Sequence, residues 1–149
     1  MSASLHLAGP GDLDRLTGFV AAFHDEMGIR QDAATRQDAL APLLDGSPYG
    51  AAYLIGPARS PIGYVIVTFG WSVEFGGMDG FVDEIWLRPA VRRRGIATEV
   101  LSELPKALAG AGVKALHLEV DRDDEAAQRI YLRAGFRPRE RYMLMSRVF

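Results

Sequence analysis

The stretch IWLRPAVRRRGIATEVL, residues 85–101, changes character halfway along. Its first part is a short apolar run closed by Pro89. Its second part opens at Ile96 and sets Ile96, Val100, Leu101, Leu104 and Leu108 at helical spacing. Short β-rich runs read as strands and i, i+3, i+4 repeats as helices, so this is the joint between a strand and a helix. Arg92, Arg93, Arg94 and Gly95 fill the turn. A helix start leaves its first backbone N–H groups unpaired and carries about half a positive charge, and phosphate binds such a place readily. Glycine permits close approach or unusual dihedrals, and arginine offers a fork of donors that fits phosphate oxygens. The turn therefore has the chemistry of a diphosphate cradle. A solvated basic corner is the plain alternative for the triplet alone. The turn is neither a Walker loop, since no GK[ST] follows, nor a dinucleotide fingerprint, since the G-x-G-x-x-G glycines are missing.

Working outward, the strand over 81–87 follows two other strand-like runs, residues 51–56 and 62–75, rich in β-branched and aromatic side chains. PARSP and GGMDG separate the three, and such short connections predict an antiparallel meander. A short first strand is expected at 5–7, and a helix with Asp12 as cap, Leu13, Leu16, Val20, Phe23 and Met27 as its stripe and Gly28 as its stop. A second helix is expected over 32–44. Beyond the joint, Pro105 predicts a kink or early end of the helix, 115–120 alternates as a strand, 123–134 as a helix stopped by Gly135, and RERYMLMSRVF (139–149) as a final strand. The order β-α-α-β-β-β-α-β-α-β predicts an α/β mixed sheet with helices on its faces. The crossover within 81–120 should be right-handed, making its two strands parallel.

The chain of 149 residues suits one domain, 1–149, and the net charge of −2 makes the arginines a local feature. This counts against bulk nucleic-acid binding. No cysteine is present, which excludes disulfides, thiolate metal sites and a cysteine nucleophile. No apolar run has the length of a membrane span, and the opening MSASLHLAGPGDLD lacks a leader pattern. A soluble, cytoplasmic protein is expected. No His/Asp/Glu grouping has metal-ligand spacing.

RRRGIA resembles the R/Q-x-x-G-x-G/A motif of the GNAT superfamily, the GCN5-related N-acetyltransferases, with Arg92, Gly95 and Ala97 at its fixed positions. DEIWLRP is similar to the strand that precedes it in that family. DEAAQRIYLRAGF resembles the second motif through Ala127, Ile130, Tyr131, Gly135 and Phe136. The strict motifs span 83–136, and the early helices and late strand extend the likeness to the whole chain.

The resemblance implies the GNAT acyl-CoA N-acyltransferase fold, acetyl-CoA as co-substrate and direct attack by a primary amine in a ternary complex. It implies that backbone groups of Ile85, Trp86 and Leu87 pair with the pantetheine arm. It also implies that Arg92, Arg93, Arg94, Gly95, Ile96, Ala97 and Thr98 hold the pyrophosphate, with Asp124 and Ala127 at the second motif. Tyr131 would be the general acid for the departing thiolate, a role a phenol can fill. Asp124 stands where the family often has asparagine, and Arg93 where many members have a second glycine.

The acceptor amine must lose a proton. Asp83 and Glu84 are the candidates to take it. Side chains alternate along a strand, so the two face opposite ways unless a bulge intervenes, and the family pattern favours Asp83, sharing a face with Ile85 and Leu87. Glu74 and Asp79 could join them in an acidic mouth. His24 and Glu26 are weaker candidates, and His117 is given no role. A non-catalytic acyl-CoA-binding module is the alternative reading. The acceptor, a small-molecule or peptide amine, is not legible. Pairing of the late strand across a homodimer stays open.

Overall fold

The computed structural model describes residues 4–149. Residues 1–3, part of the stretch read for a leader, lie outside the described residues. β1 (Leu5–Leu7) leads through a 3-10 turn into α1 (Leu13–Met27) and α2 (Ala33–Leu44). The meander follows as β2 (Gly50–Ile55), β3 (Gly63–Ser72) and β4 (Gly77–Leu87), then α3 (Ile96–Gly110), β5 (Ala115–Leu118) and α4 (Glu125–Arg133). The strands form one sheet in the order β1-β2-β3-β4-β5, antiparallel except for the parallel β4–β5 pair. Among the described residues no helix is long and apolar enough to cross a membrane.

Strand alternation divides the core into two layers. Val65, Val67, Val82 and Leu87 face α3 and pack with Ile96, Val100, Leu104 and Leu108. Tyr64, Ile66 and Trp86 face the other way, against Leu16, Phe19 and Val20 of α1 and Leu40 and Leu44 of α2. β4 is irregular at one point: Ile66 pairs with Glu84, but the next residue, Val67, pairs with Val82. Asp83 is therefore an extra residue, a bulge that bends and twists the strand locally.

The parallel pairing of β4 with β5 covers only Asp79–Val82 against Ala115–Leu118. From Asp83 onward β4 runs on past the end of β5 at Leu118, and the wedge beside its edge there holds no paired strand.

Three sequence expectations need correction. GGMDG is mostly strand, since β4 begins at Gly77, and the turn is 73–76. Of the two outcomes expected at Pro105, a kink or an early end, the early end does not occur: α3 continues to Gly110. The five apolar side chains of its stripe are at most 4% exposed. At about 1.5–3 kcal/mol each, their burial outweighs the roughly 3 kcal/mol a helical proline costs. The final strand is absent: residues 137–149 are neither helix nor strand.

Gly63 marks the tightest point of the sheet. A Cβ there would overlap the Trp86 carbonyl oxygen and stand 2.9 Å from Leu87 Cδ2. Because the obstacle is backbone, Gly63→Ala should destabilise the fold by about 3 kcal/mol in urea unfolding. A loss below about 0.5 kcal/mol, the ordinary surface value, would show that β3 and β4 are less closely apposed.

Candidate active site

The turn between β4 and α3 curls through two left-handed residues, Arg93 at φ 65° and Gly95 at φ 77°. Gly95 occupies the N-cap position of α3 and no side chain caps the helix. From Arg93 to Thr98 no backbone N–H donates to any described residue. A run of free donors at the positive end of a 15-residue helix is an anion site in waiting. A Cβ on Gly95 would meet nothing within 4 Å, so the loop faces open space where a phosphate could lie.

The three arginines are not equivalent. Arg92 Nε donates to the Leu87 carbonyl at 2.9 Å, and its NH2 group donates to both Glu26 oxygens at 2.8 and 2.9 Å. The Arg92 hydrogen bond, and then the Trp86 indole N–H at 3.0 Å, hold the Glu26 carboxyl below its ordinary pKa. The Arg92 side chain therefore ties the end of β4 to the end of α1, with Glu26 as its partner. Arg93 and Arg94 are exposed and make no side-chain bond.

The wedge presents backbone. The Arg88 N–H reaches the Ile62 carbonyl beyond β3 at 2.8 Å. By alternation Trp86 also turns its backbone to β3, leaving Ile85 and Leu87 to face the wedge. Of the three residues expected to pair with pantetheine, Ile85 and Leu87 are placed to do so. Trp86 is not, and its side chain is buried against Phe19.

α4 packs beside α3 and carries Tyr131, half-buried and edge-on to Phe136 with ring centroids 6.2 Å apart. The Tyr131 hydroxyl bonds to no described residue. Burial, and secondarily the charge of Asp124, raise its pKa above the ordinary phenol value. Asp124 Oδ1 accepts the Ala127 N–H at 3.0 Å. These two residues thus satisfy each other as the cap of α4, and the carboxylate does what an asparagine oxygen would do there.

On the opposite face, α1, α2, β3 and β4 enclose a cavity of about 160 Å³ lined by Val20, His24, Gln31, Arg36, Leu40, Ile66, Asp83 and Glu84, among others. The bulge sets Asp83 and Glu84 in one cavity, away from Ile85 and Leu87, which pack toward α3. The bulge is the exception that alternation allowed for, and it overturns the expectation that Asp83 shares a face with Ile85 and Leu87. Glu84 is fully engaged: it accepts from the Tyr64 hydroxyl at 2.9 Å and from His24 Nε2 at 2.7 Å. Burial, followed by the Glu84 charge, drives the Tyr64 pKa far up, so this phenol serves only as donor. Asp83 has no bonded partner. Packing around its carboxyl raises its pKa, with the charge of His24 opposing. His24 Nδ1 and Arg36 Nε are buried without a hydrogen-bond partner.

The acidic mouth is not assembled. Asp79 lies 3.3 Å from His117 Nε2 and Glu74 pairs with Arg139 at 3.0 Å, which leaves Asp83 and Glu84 alone at the cavity. Tyr64, Gln31 and Arg36 were not picked out in sequence. Tyr64 sits in an apolar strand run and reads as core, and the helix carrying Arg36 has no motif. Among the described residues no group of three or more His, Asp or Glu is placed to hold a metal ion.

The chain matches the model of the acetyltransferase (GNAT) family over residues 15–136. No curated protein sequence matches it. A solved integron cassette protein from the mobile metagenome of Cole Harbour Salt Marsh superposes with TM-score 0.84 at 29% identity, covering 97% of this chain and 90% of that one. A possible acetyltransferase from Clostridium difficile 630 gives 0.85 at 16% identity, with 100% and 99% covered. A ribosomal-protein-alanine N-acetyltransferase from Brucella melitensis biovar Abortus 2308 gives 0.75 at 17% identity, with 99% of each chain covered.

Proposed function

The chain belongs to the GNAT acetyltransferase family and is an acyltransferase, and from that premise we propose that it moves an acetyl group from acetyl-CoA to a primary amine by direct attack in a ternary complex. The observation that carries this reading is the run of unpartnered N–H groups from Arg93 to Thr98, ending a strand whose free backbone edge faces a wedge. A diphosphate attached to an extended amide-bearing arm is a ligand of that shape and polarity. Acetyl-CoA supplies the activated thioester.

The protein side of the reaction divides between the two faces of β4. The cavity beneath α1 and α2 admits the amine, and Asp83, unpartnered and with a raised pKa, takes its proton directly or through water. The nitrogen then bonds to the acetyl carbon as the carbon–sulfur bond breaks. The wedge-facing N–H groups of β4 stand ready for the charge gathering on the carbonyl oxygen, and Tyr131 gives its phenolic proton to the departing sulfur. Glu84 is bonded to His24 and Tyr64 and positions that wall of the cavity.

Calorimetry with acetyl-CoA, followed by a thiol-release screen of primary amines, tests the reading. Binding should be seen and weakened about tenfold or more by Gly95→Asp, which forces a side chain into φ 77° and sets a carboxylate against the anion. No binding would overturn the cofactor assignment. Binding without thiol release for any amine would favour a binding module.

A further inference from the structure

The cavity beneath α1 and α2 has two unlike sides. On one side β4 supplies Asp83, whose carboxyl bonds to no described residue. Pairing of β4 with β5 stops at Val82, so Asp83 is the first residue beside the wedge. On the other side α2 supplies Arg36. Of its guanidinium nitrogens only NH2 donates to a described residue, the Gln31 carbonyl at 2.9 Å, and Nε is buried without a partner. Among the described residues no carboxylate stands within ion-pair distance of Arg36. Asp32, one turn earlier, feels its charge but is engaged by the Thr35 N–H at 2.7 Å.

Such an arginine needs a reason. A guanidinium is always charged, and buried polar atoms without a partner are rare enough that each asks for an explanation. Asp83 does not supply one, because it makes no ion pair with Arg36 and the charge acting on it is that of His24. Gln31, whose carbonyl Arg36 holds, also lines the cavity, and its side-chain amide bonds to no described residue. His24, 5% exposed, adds an unpaired Nδ1. Donors without acceptors thus gather on the α2 side, and an acceptor without a donor stands on the β4 side. Val20, Leu40 and Ile66 supply apolar wall to the same cavity.

A ligand that answers both sides carries an amine and an anion together. On the premise of acetyl transfer to a primary amine, we propose that the acceptor is a small free amino acid with an apolar side chain, its amine at Asp83 and its carboxylate at Arg36 and Gln31. Position sets the orientation: Asp83 adjoins the wedge, where the thioester would lie, and Arg36 belongs to a helix on the far side of the cavity. The planar fork of a guanidinium matches a carboxylate. Size agrees. A cavity of about 150 Å³ takes a benzene molecule, so the 160 Å³ found here suits an acceptor near the size of valine. An aminoglycoside is several times larger. A lysine side chain or a peptide N-terminus brings no carboxylate beside its amine.

Thiol release from acetyl-CoA tests this with alanine, valine and leucine, each beside its amide and beside the amine that lacks the carboxyl carbon. At least one amino acid should show a kcat/KM about 10–100-fold above both of its analogues, the usual worth of hydrogen bonds to a charged group. Basicity alone favours the amide, whose amine is the weaker base and more often uncharged near pH 7, so a preference for the acid reads the carboxylate. Arg36→Gln should cut the ratio of acid to amide at least about tenfold, with acetyl-CoA affinity by calorimetry unchanged as the check on folding. Equal rates for the acids and their analogues would overturn the amino-acid acceptor and leave acetyl transfer standing. So would release with other primary amines and none of the acids. A preference that survives Arg36→Gln would overturn the part given to Arg36. Release with no amine at all would overturn the transfer itself and the acceptor with it.

Discussion

Tyr131→Phe is expected to lower turnover with acetyl-CoA and a competent amine by about 100-fold or more, with acetyl-CoA affinity changed less than threefold. General acid catalysis typically contributes 10²–10⁴-fold, and the substitution removes one hydroxyl that bonds to no other described residue. No neighbour is orphaned and the ring stays edge-on to Phe136, so stability should be nearly unchanged. The raised phenol pKa sets a sign for the pH dependence. An acid must be protonated to act, so any loss of rate due to Tyr131 ionisation comes only above the ordinary phenol value of about 10. A rate that falls with a midpoint well below that and vanishes from the profile in the phenylalanine variant would contradict the burial seen here. Equal turnover of the two proteins would remove Tyr131 from the chemistry.

Glu84→Ala should be costly to the fold itself, by about 3–5 kcal/mol. The carboxylate is 15% exposed and accepts from two buried donors, Tyr64 hydroxyl and His24 Nε2. Truncation strands both, and breaking a buried hydrogen-bonded pair from one side carries that scale of penalty. For a chain of this length the melting temperature should fall by roughly 10 °C or more. Asp83→Asn is the contrast: its carboxyl has no bonded partner and an exposed edge, so stability should move by less than about 1 kcal/mol while turnover drops. A Glu84→Ala protein within about 1 kcal/mol of the parent would show that the Tyr64–Glu84–His24 network is not structural. Parent-like turnover in Asp83→Asn would remove Asp83 as the base.

Much of the fold was legible because it rests on local periodicity. The stripe from Ile96 to Leu108 and the strand-like runs before it are visible in order, and the sheet has the parallel crossover they imply. The bulge was not legible, because whether two neighbouring carboxylates share a cavity depends on a pairing partner. Only the register against β3 turns Asp83 to join Glu84. Arg92 shows the same limit. Its place in the motif is plain in the sequence, while its attachment to Glu26 joins residues 66 positions apart.

The final segment separates the two kinds of information most clearly. Its apolar run, Tyr142 to Met145 with Val148 and Phe149, marks residues that favour an extended, buried strand, and that preference is local. A strand is completed by hydrogen bonds to a neighbour, however, and residues 137–149 pair with no strand of the sheet. By itself the sequence determined the order of elements as far as α4, the strand-to-helix joint and the family, because these depend on spacing along the chain. The tertiary structure alone decided which carboxylate is left free, which arginine is anchored and that residues 137–149 join no strand of the sheet, because contacts between distant residues set all three.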